Sequence, residues 1–206
     1  MIEARQSEAA RTHGGAAVAV TSLPGGDGVA SPLSLMIDAQ HFRSIMRTLV
    51  NGVTVITTSR EGRIHGMTAT AFSSVSADPP TVLVVLNKST RTHPLVHASR
   101  RFAVNVLAED QVDLSNRFAG KHDHPFEGVA HELSEHGIPM LLGALATLEC
   151  ETVEELDVGT HTIFVGRVLN GARSETAPLV YHDGGYLSVT RDGACPGLSR
   201  CRDAKG

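Results

Sequence analysis

The sequence has no surplus of positive charge, few cysteines and no long apolar run, and each lack removes a class of function. Its 18 Lys and Arg are outnumbered by 22 Asp and Glu, for a net charge of −4, which excludes a broadly basic nucleic-acid surface. The cysteines are Cys150, Cys195 and Cys201; an odd, sparse set is no disulfide framework. Cys150 lies in the apolar run 145–150 and reads as an inert core residue. Cys195 and Cys201 match no zinc spacing, and a redox pair there stays open. No apolar run approaches the roughly 18 residues that span a bilayer. The N-terminal stretch Ala16–Val20 is too short for a signal-peptide core of about 7–15 residues, so a cytoplasmic protein is expected. Several motifs are also missing: no G-x-G-x-x-G follows a strand, and there is neither a Walker loop nor a G-x-S-x-G elbow. His131 and His136 are five apart rather than four, and Gly137 and Pro139 follow, so they make no helical zinc motif.

What is present is enough apolar residue, 41% of 206, for one well-buried domain. Residues 1–36 and 191–206 are rich in Gly, Ala and Ser without apolar periodicity and read as flexible tails. The folded domain is expected over 37–190. Asp38 is placed to cap a helix whose Phe42, Ile45, Met46, Leu49 and Val50 share one face, with Asn51-Gly52 ending it. Strands are expected at 53–58, from 64 to 70 with a possible extension to 75, and at 81–86, the last buried on both faces. Asp78-Pro79-Pro80 separates the second from the third. Helices at 92–99 and 109–119 flank a strand at 102–107. Residues 121–138 form a long irregular connection, and strands return at 146–152, 162–169 and 185–189. Strands so many and so closely spaced favour a mainly β, antiparallel barrel with inserted helices over a βαβ sheet.

Three clusters carry possible chemistry. Gly66-Met67-Thr68-Ala69-Thr70-Ala71-Phe72-Ser73-Ser74-Val75-Ser76 sets five hydroxyls among small side chains. Such a stretch lets a flat ligand approach the backbone, and it equally suits a Ser/Thr-rich edge strand. Asn87-Lys88-Ser89-Thr90-Arg91-Thr92 opens a helix with hydroxyls and two cations, Lys88 and Arg91, a setting that attracts phosphate or simply caps the helix. His161 stands at the head of a strand, where it can face a cleft or serve the structure alone.

Taken in order, Gly52 to Thr58, Gly66 to Ser76, Pro79-Pro80, Phe102 to Leu107 with Asp110-Gln111, Arg117-Phe118-Ala119, Leu148-Glu149-Cys150 and Pro178 to Tyr181 resemble the flavin reductase components of two-component monooxygenases. The Gly193-Ala194-Cys195-Pro196 tail is similar to reductases of actinomycete aromatic-polyketide pathways, which would place the chain in antibiotic biosynthesis. The resemblance implies a split β-barrel of Greek-key, FMN-binding type, usually a homodimer. It implies FMN or FAD as an exchangeable substrate, NADH or NADPH as hydride donor, and a partner monooxygenase that consumes the reduced flavin. By the same resemblance Thr68, Ala69, Thr70, Ala71 and Phe72 line the isoalloxazine through backbone groups, continued by Ser74 and Val75. Ser89, Thr90 and Arg91 hold the phosphate end, and Lys121 and His122 approach from the long loop. His161 is the candidate catalytic residue beside the incoming nicotinamide, with Tyr186 a further candidate there. No metal is implied. Family members often carry Gly-Asp-His where this chain has Gly159-Thr160-His161, which removes a charge beside the histidine. With no tryptophan and two tyrosines, little aromatic stacking holds the ring. A non-catalytic flavin-binding module and a flavin-retaining oxidase on the same barrel are the alternatives.

Overall fold

A computed structural model of the chain describes residues 37–189. The two tails, with Cys195 and Cys201, lie outside the described residues.

The centre is a seven-stranded antiparallel sheet. Its strands are β2 (Thr54–Arg60), β3 (Arg63–Ala69), β4 (Phe72–Ala77), β5 (Pro80–Asn87), β6 (Arg101–Val106), β9 (Ala146–Val158) and β10 (His161–Arg173), in the order β3-β2-β6-β9-β10-β5-β4. The edge strands of that order, β3 and β4, are consecutive in the chain and joined at Thr70-Ala71. The sheet therefore curls until its two edges meet, as the split β-barrel requires. At the seam Phe72 N–H donates to Thr70 O (3.0 Å) and Val85 N–H to Ala71 O (3.0 Å). The strand expected from 64 towards 75 is thus two strands with a corner between them.

The core follows from alternation. Val82, Val84 and Leu86 of β5 face inward against Gly166, Phe164 and Thr162 of β10. Gly166 has no room for a side chain, since a Cβ there would lie 2.5 Å from Phe102 Cζ. Cys150 is buried in the same cluster, and burial pushes its thiol pKa up to about 12. The 81–86 strand is not dry on both faces, however: Leu83 and Val85 are only half-buried, because in the single chain nothing covers the outer face.

Two helices cover parts of the barrel: α2 (Thr92–Ser99) packs mainly on β2, and α3 (Val112–Ala119) on β3. Helix α1 (Ala39–Met46) stops short of Val50, and no residue of it is buried. Its expected apolar face stays open, with Phe42 52% exposed and Val50, just beyond it, 65%. The long connection contains a small hairpin, β7 (His131–Leu133) and β8 (Pro139–Leu141). Asn105 pins it: the amide accepts from Leu141 N–H (2.8 Å) and donates to Val55 O (3.0 Å). Glu149, 3% exposed, accepts from Ser134 Oγ (2.8 Å) and from His136 Nδ1 (2.8 Å). β1 (Asn51–Gly52), β11 (Val180–His182) and β12 (Gly185–Leu187) form a second small sheet. Asp183-Gly184, both with positive φ, make its two-residue hairpin turn. Among the described residues no helix is long and apolar enough to cross a membrane.

Candidate functional site

The loop after β5 is shaped by its own side chains. Asn87 Oδ1 accepts from Ser89 N–H (2.9 Å) and Ser89 Oγ (2.8 Å), while Thr90 Oγ1 donates to Asn87 O (2.8 Å). This Asx-type turn carries the chain into α2 and leaves Arg91 at its entrance. The Arg91 guanidinium reaches across to pair with Asp123 of the long loop. Its hydrogen bond and charge hold the Asp123 carboxyl below its ordinary pKa. Lys88 turns the other way and pairs with Asp157 (3.1 Å), so it does not join Arg91 as expected.

Ser89, Thr90 and Arg91 line one cavity of about 440 Å³ together with Thr68, Lys121 and His122. Six of the site residues expected from the sequence therefore converge. Two glycines permit the convergence. A Cβ on Gly66 would meet the Phe118 ring at 3.0 Å and Ile56 O at 3.2 Å, and one on Gly120 would lie 2.8 Å from His122 Nε2. The Thr68 hydroxyl is spent on α3, donating to Ser115 O (2.7 Å). Lys121 makes no ion pair or hydrogen bond among the described residues.

His65, which no motif or spacing singles out, also lines this cavity. Its Nδ1 sits 2.9 Å from Thr92 Oγ1, and its Nε2 is buried without a partner. Burial first, then the positive charges of Arg91 and Arg63, lower its pKa, against a smaller opposing contribution from the Gly66 backbone. Only the fold brings β3 and the start of α2 together, so spacing could not have found this residue.

The other expected residues lie further along the seam. Thr68, Ala69, Thr70 and Tyr186 line a neighbouring cleft of about 330 Å³. There the Tyr186 hydroxyl is 2.9 Å from both Ser115 Oγ and Asn116 Oδ1. Ala71, Phe72, Ser74 and Val75 continue beyond the cleft on the β4 edge; Ala71, Ser74 and Val75 are exposed, whereas Phe72 packs against the core. Phe72 turns its ring to the core, and its N–H is taken by Thr70 O (3.0 Å).

His161 is not among the side chains lining the cavity. It stands on the outer face of the sheet, registered with Asn87 of β5 and Val158 of β9. The two regions touch through the backbone, where Lys88 N–H donates to Thr160 O (3.0 Å). Thr160 Oγ1 lies 2.9 Å from His161 Nδ1, so a neutral hydroxyl orients the ring. On the inner face, Thr162 Oγ1 donates to Asp157 Oδ1 (2.6 Å) and lies 2.8 Å from His93 Nε2. That bond, followed by Lys88, lowers the Asp157 pKa. Asp157 thus serves the joint between α2 and the β9–β10 turn rather than His161.

Comparison with known proteins gives this geometry a family. Residues 46–190 match the family described as "Flavin reductase like domain". The chain is 40% identical over 159 residues to the reductase component of the FADH(2)-dependent resorcinol hydroxylase of a Rhizobium species, covering 75% of this chain and 89% of that protein. It is 39% identical over 155 residues to the FMN reductase (NADH) SmoA of Agrobacterium fabrum, covering 75% and 88%. The solved structure of the Streptomyces globisporus NADH:FAD oxidoreductase SgcE6, in complex with NAD and FAD fragments, superposes with a TM-score of 0.73 at 31% identity, over 81% of this chain and 99% of that one. With a matched region spanning the whole barrel and both walls of the cavity, this chain belongs to the flavin reductase-like family.

Proposed function

We propose that the chain is an NADH-dependent flavin reductase, acting in the cytoplasm, that hands reduced flavin to a separate monooxygenase component. The observation that carries this is the cavity between β3 and the start of α2. Lys121 on one wall has no ion pair of its own, and Arg91 on the other is neutralised only by an exposed carboxylate. Two cations facing one hollow, with rotatable hydroxyls from Ser89 and Thr90, fit the phosphate of a flavin nucleotide. The relatives named FMN reductase (NADH) and reductase component of a hydroxylase support the same reaction and the same destination for its product.

A flavin held there supplies the hydride acceptor. The chain's own part is orientation and exclusion of water. Arg91, Lys121, Ser89 and Thr90 fix the phosphate end. The backbone from Thr68 to Val75 offers N–H and C=O groups along the seam to a flat ring. His161, held by Thr160, stands on the outer face of the sheet as the residue on the nicotinamide side. No nucleophile is required, in keeping with a site made of backbone, hydroxyls and cations.

The active form is a homodimer. Leu83, Val85, Ile163 and Val165 form a half-buried outer face, flanked by Leu156 (56% exposed), Val158 (54%) and Val75 (54%). A contiguous apolar patch of this kind marks an interface, and His161 stands within it.

The test is a matrix of NADH or NADPH against FMN, FAD or riboflavin, followed at the nicotinamide absorbance band. Flavin-dependent oxidation of NADH is expected. No oxidation with any pair would overturn the reading, and a yellow protein that keeps its flavin through purification would favour a carrier or an oxidase.

A further inference from the structure

One wall of the candidate site is a strap of exposed chain, residues 121–124, held between two fixed points. On one side Gly120 closes α3, its N–H donating to Asn116 O (3.1 Å) and Arg117 O (3.2 Å). On the other side Pro125 and Phe126 are buried. Pro125 O accepts from Arg117 Nε (3.1 Å), and the Phe126 ring meets Phe118 edge to face at 5.1 Å between centroids. The residues between, Lys121, His122, Asp123 and His124, are all exposed. Among the described residues a single atom links them by hydrogen bonds to the β5–α2 loop. Arg91 Nη1 donates to Asp123 Oδ1 and, more distantly, to His122 O (3.4 Å). Arg91 Nε and Nη2 make no hydrogen bond among the described residues.

Arg91, Lys121 and His122 line the cavity, but Asp123 does not: with His124 and Pro125 it lines a separate hollow of about 490 Å³. Asp123 therefore grips the guanidinium from outside, by one nitrogen. It is the only carboxylate of the strap, and its bond to Arg91 keeps it ionised by lowering its pKa. The pair is open to water, with the Arg91 side chain 60% exposed and that of Asp123 77%. An exposed ion pair is worth at most about fivefold in an equilibrium constant, enough to tune an affinity and too little to block a site. A phosphate brings more charge and can take both prongs of the guanidinium fork. We propose that Asp123 competes with the flavin phosphate for Arg91, so that flavin binding displaces the carboxylate and flavin release restores the pair. Asp123 is thus a positioning residue that acts through Arg91. Its effect is to weaken the hold on the phosphate and keep the flavin exchangeable, which suits an enzyme whose product must reach a second protein. The identity of the anion rests on the function proposed above.

The variant that tests this is Asp123→Asn, which keeps the shape and removes the charge. Calorimetric titration without NADH reads binding alone. Kd for FMN and for FAD, which both carry the phosphate, should fall about two- to fivefold, and Kd for riboflavin, which has none, should not move. In steady-state assays KM for FMN should fall by the same factor, while kcat does not rise and KM for NADH stays unchanged. Asp123→Glu keeps the charge and should behave as the wild type; tightening there too would overturn the proposal. Added to Arg91→Gln, Asp123→Asn should bring no gain. An undiminished gain in that background would mean that the carboxylate repels the phosphate directly, and competition for Arg91 would be overturned. An unchanged or higher Kd for FMN in Asp123→Asn overturns it outright, a higher one assigning Asp123 to hold Arg91 in place for the phosphate. An equal shift for riboflavin does the same. Should NADH oxidation be absent while FMN binding tightens as expected, the reductase reading fails and the role of Asp123 stands. NADH oxidation with an FMN affinity that the substitution leaves untouched keeps the reductase and removes the competitor. A wild-type chain that binds none of the three flavins overturns both.

Discussion

The two faces of the β5–β10 strand pair are built from the same residue types to opposite ends. Inside, Val82, Val84, Leu86 and Phe164 are each no more than 5% exposed, and the chain closes around them unaided. Outside, Leu83, Val85, Ile163 and Val165 stand in register one residue along and are left half-covered, with His161 in the same plane. The inner face is finished by intramolecular packing. The outer face leaves its apolar surface half-covered in the single chain, and it also carries the candidate hydride-side residue. On the proposed function, stability and activity draw on opposite sides of one ribbon.

Substitutions can break this comparison. Phe164→Ala should destabilise the fold most, by about 3–5 kcal/mol, because the ring is fully buried and its cavity cannot collapse; a urea midpoint near that of the wild type would contradict the account of the core. Gly166→Ala comes next, at about 1–3 kcal/mol, since its methyl meets a Phe102 ring that has nowhere to go. On the outer face Ile163→Asp should scarcely alter the unfolding of the monomer but should shift sedimentation towards single chains, and activity should fall in parallel. Unchanged dimerisation would remove the outer face from the interface. His161→Ala should slow hydride transfer or weaken nicotinamide binding more than flavin binding, and the reverse order would reject its place. The smallest effect concerns pH. Burial lowers the pKa of His65 and of His93 below the ordinary 6.5. The unfolded chain therefore takes up protons first as pH falls. Stability should be full above about pH 6.5 and should decline as pH drops towards the folded values. His65→Gln should flatten that decline in urea titrations at successive pH values.

What could be read from the sequence was whatever depends on local chemistry. Dense β-branched runs announced β2 and β5, and Ser89-Thr90-Arg91 announced a loop built on hydrogen bonds within a few residues. The length of β9 and β10 was hidden, because beyond the core the hairpin is written in Glu151, Glu154 and Glu155, residues with no strand preference. Three-residue strands such as β7, β8 and β11 are too short to show a period. The orientation of Phe72 was also out of reach, since the corner at Thr70-Ala71 decides which way it faces. His65 and the Arg91–Asp123 pair acquire meaning only when distant segments meet, and no linear spacing encodes that meeting.

Cys150 has a chemical consequence of another kind. A protein that releases reduced flavin works beside dioxygen and the peroxide that forms from it. Susceptibility of sulfur to oxidation follows thiolate character and access. At Cys150 both are withheld: the side chain is fully buried and its pKa stands near 12. The barrel thus keeps this sulfur as inert filler, shielded from the by-products of its own turnover.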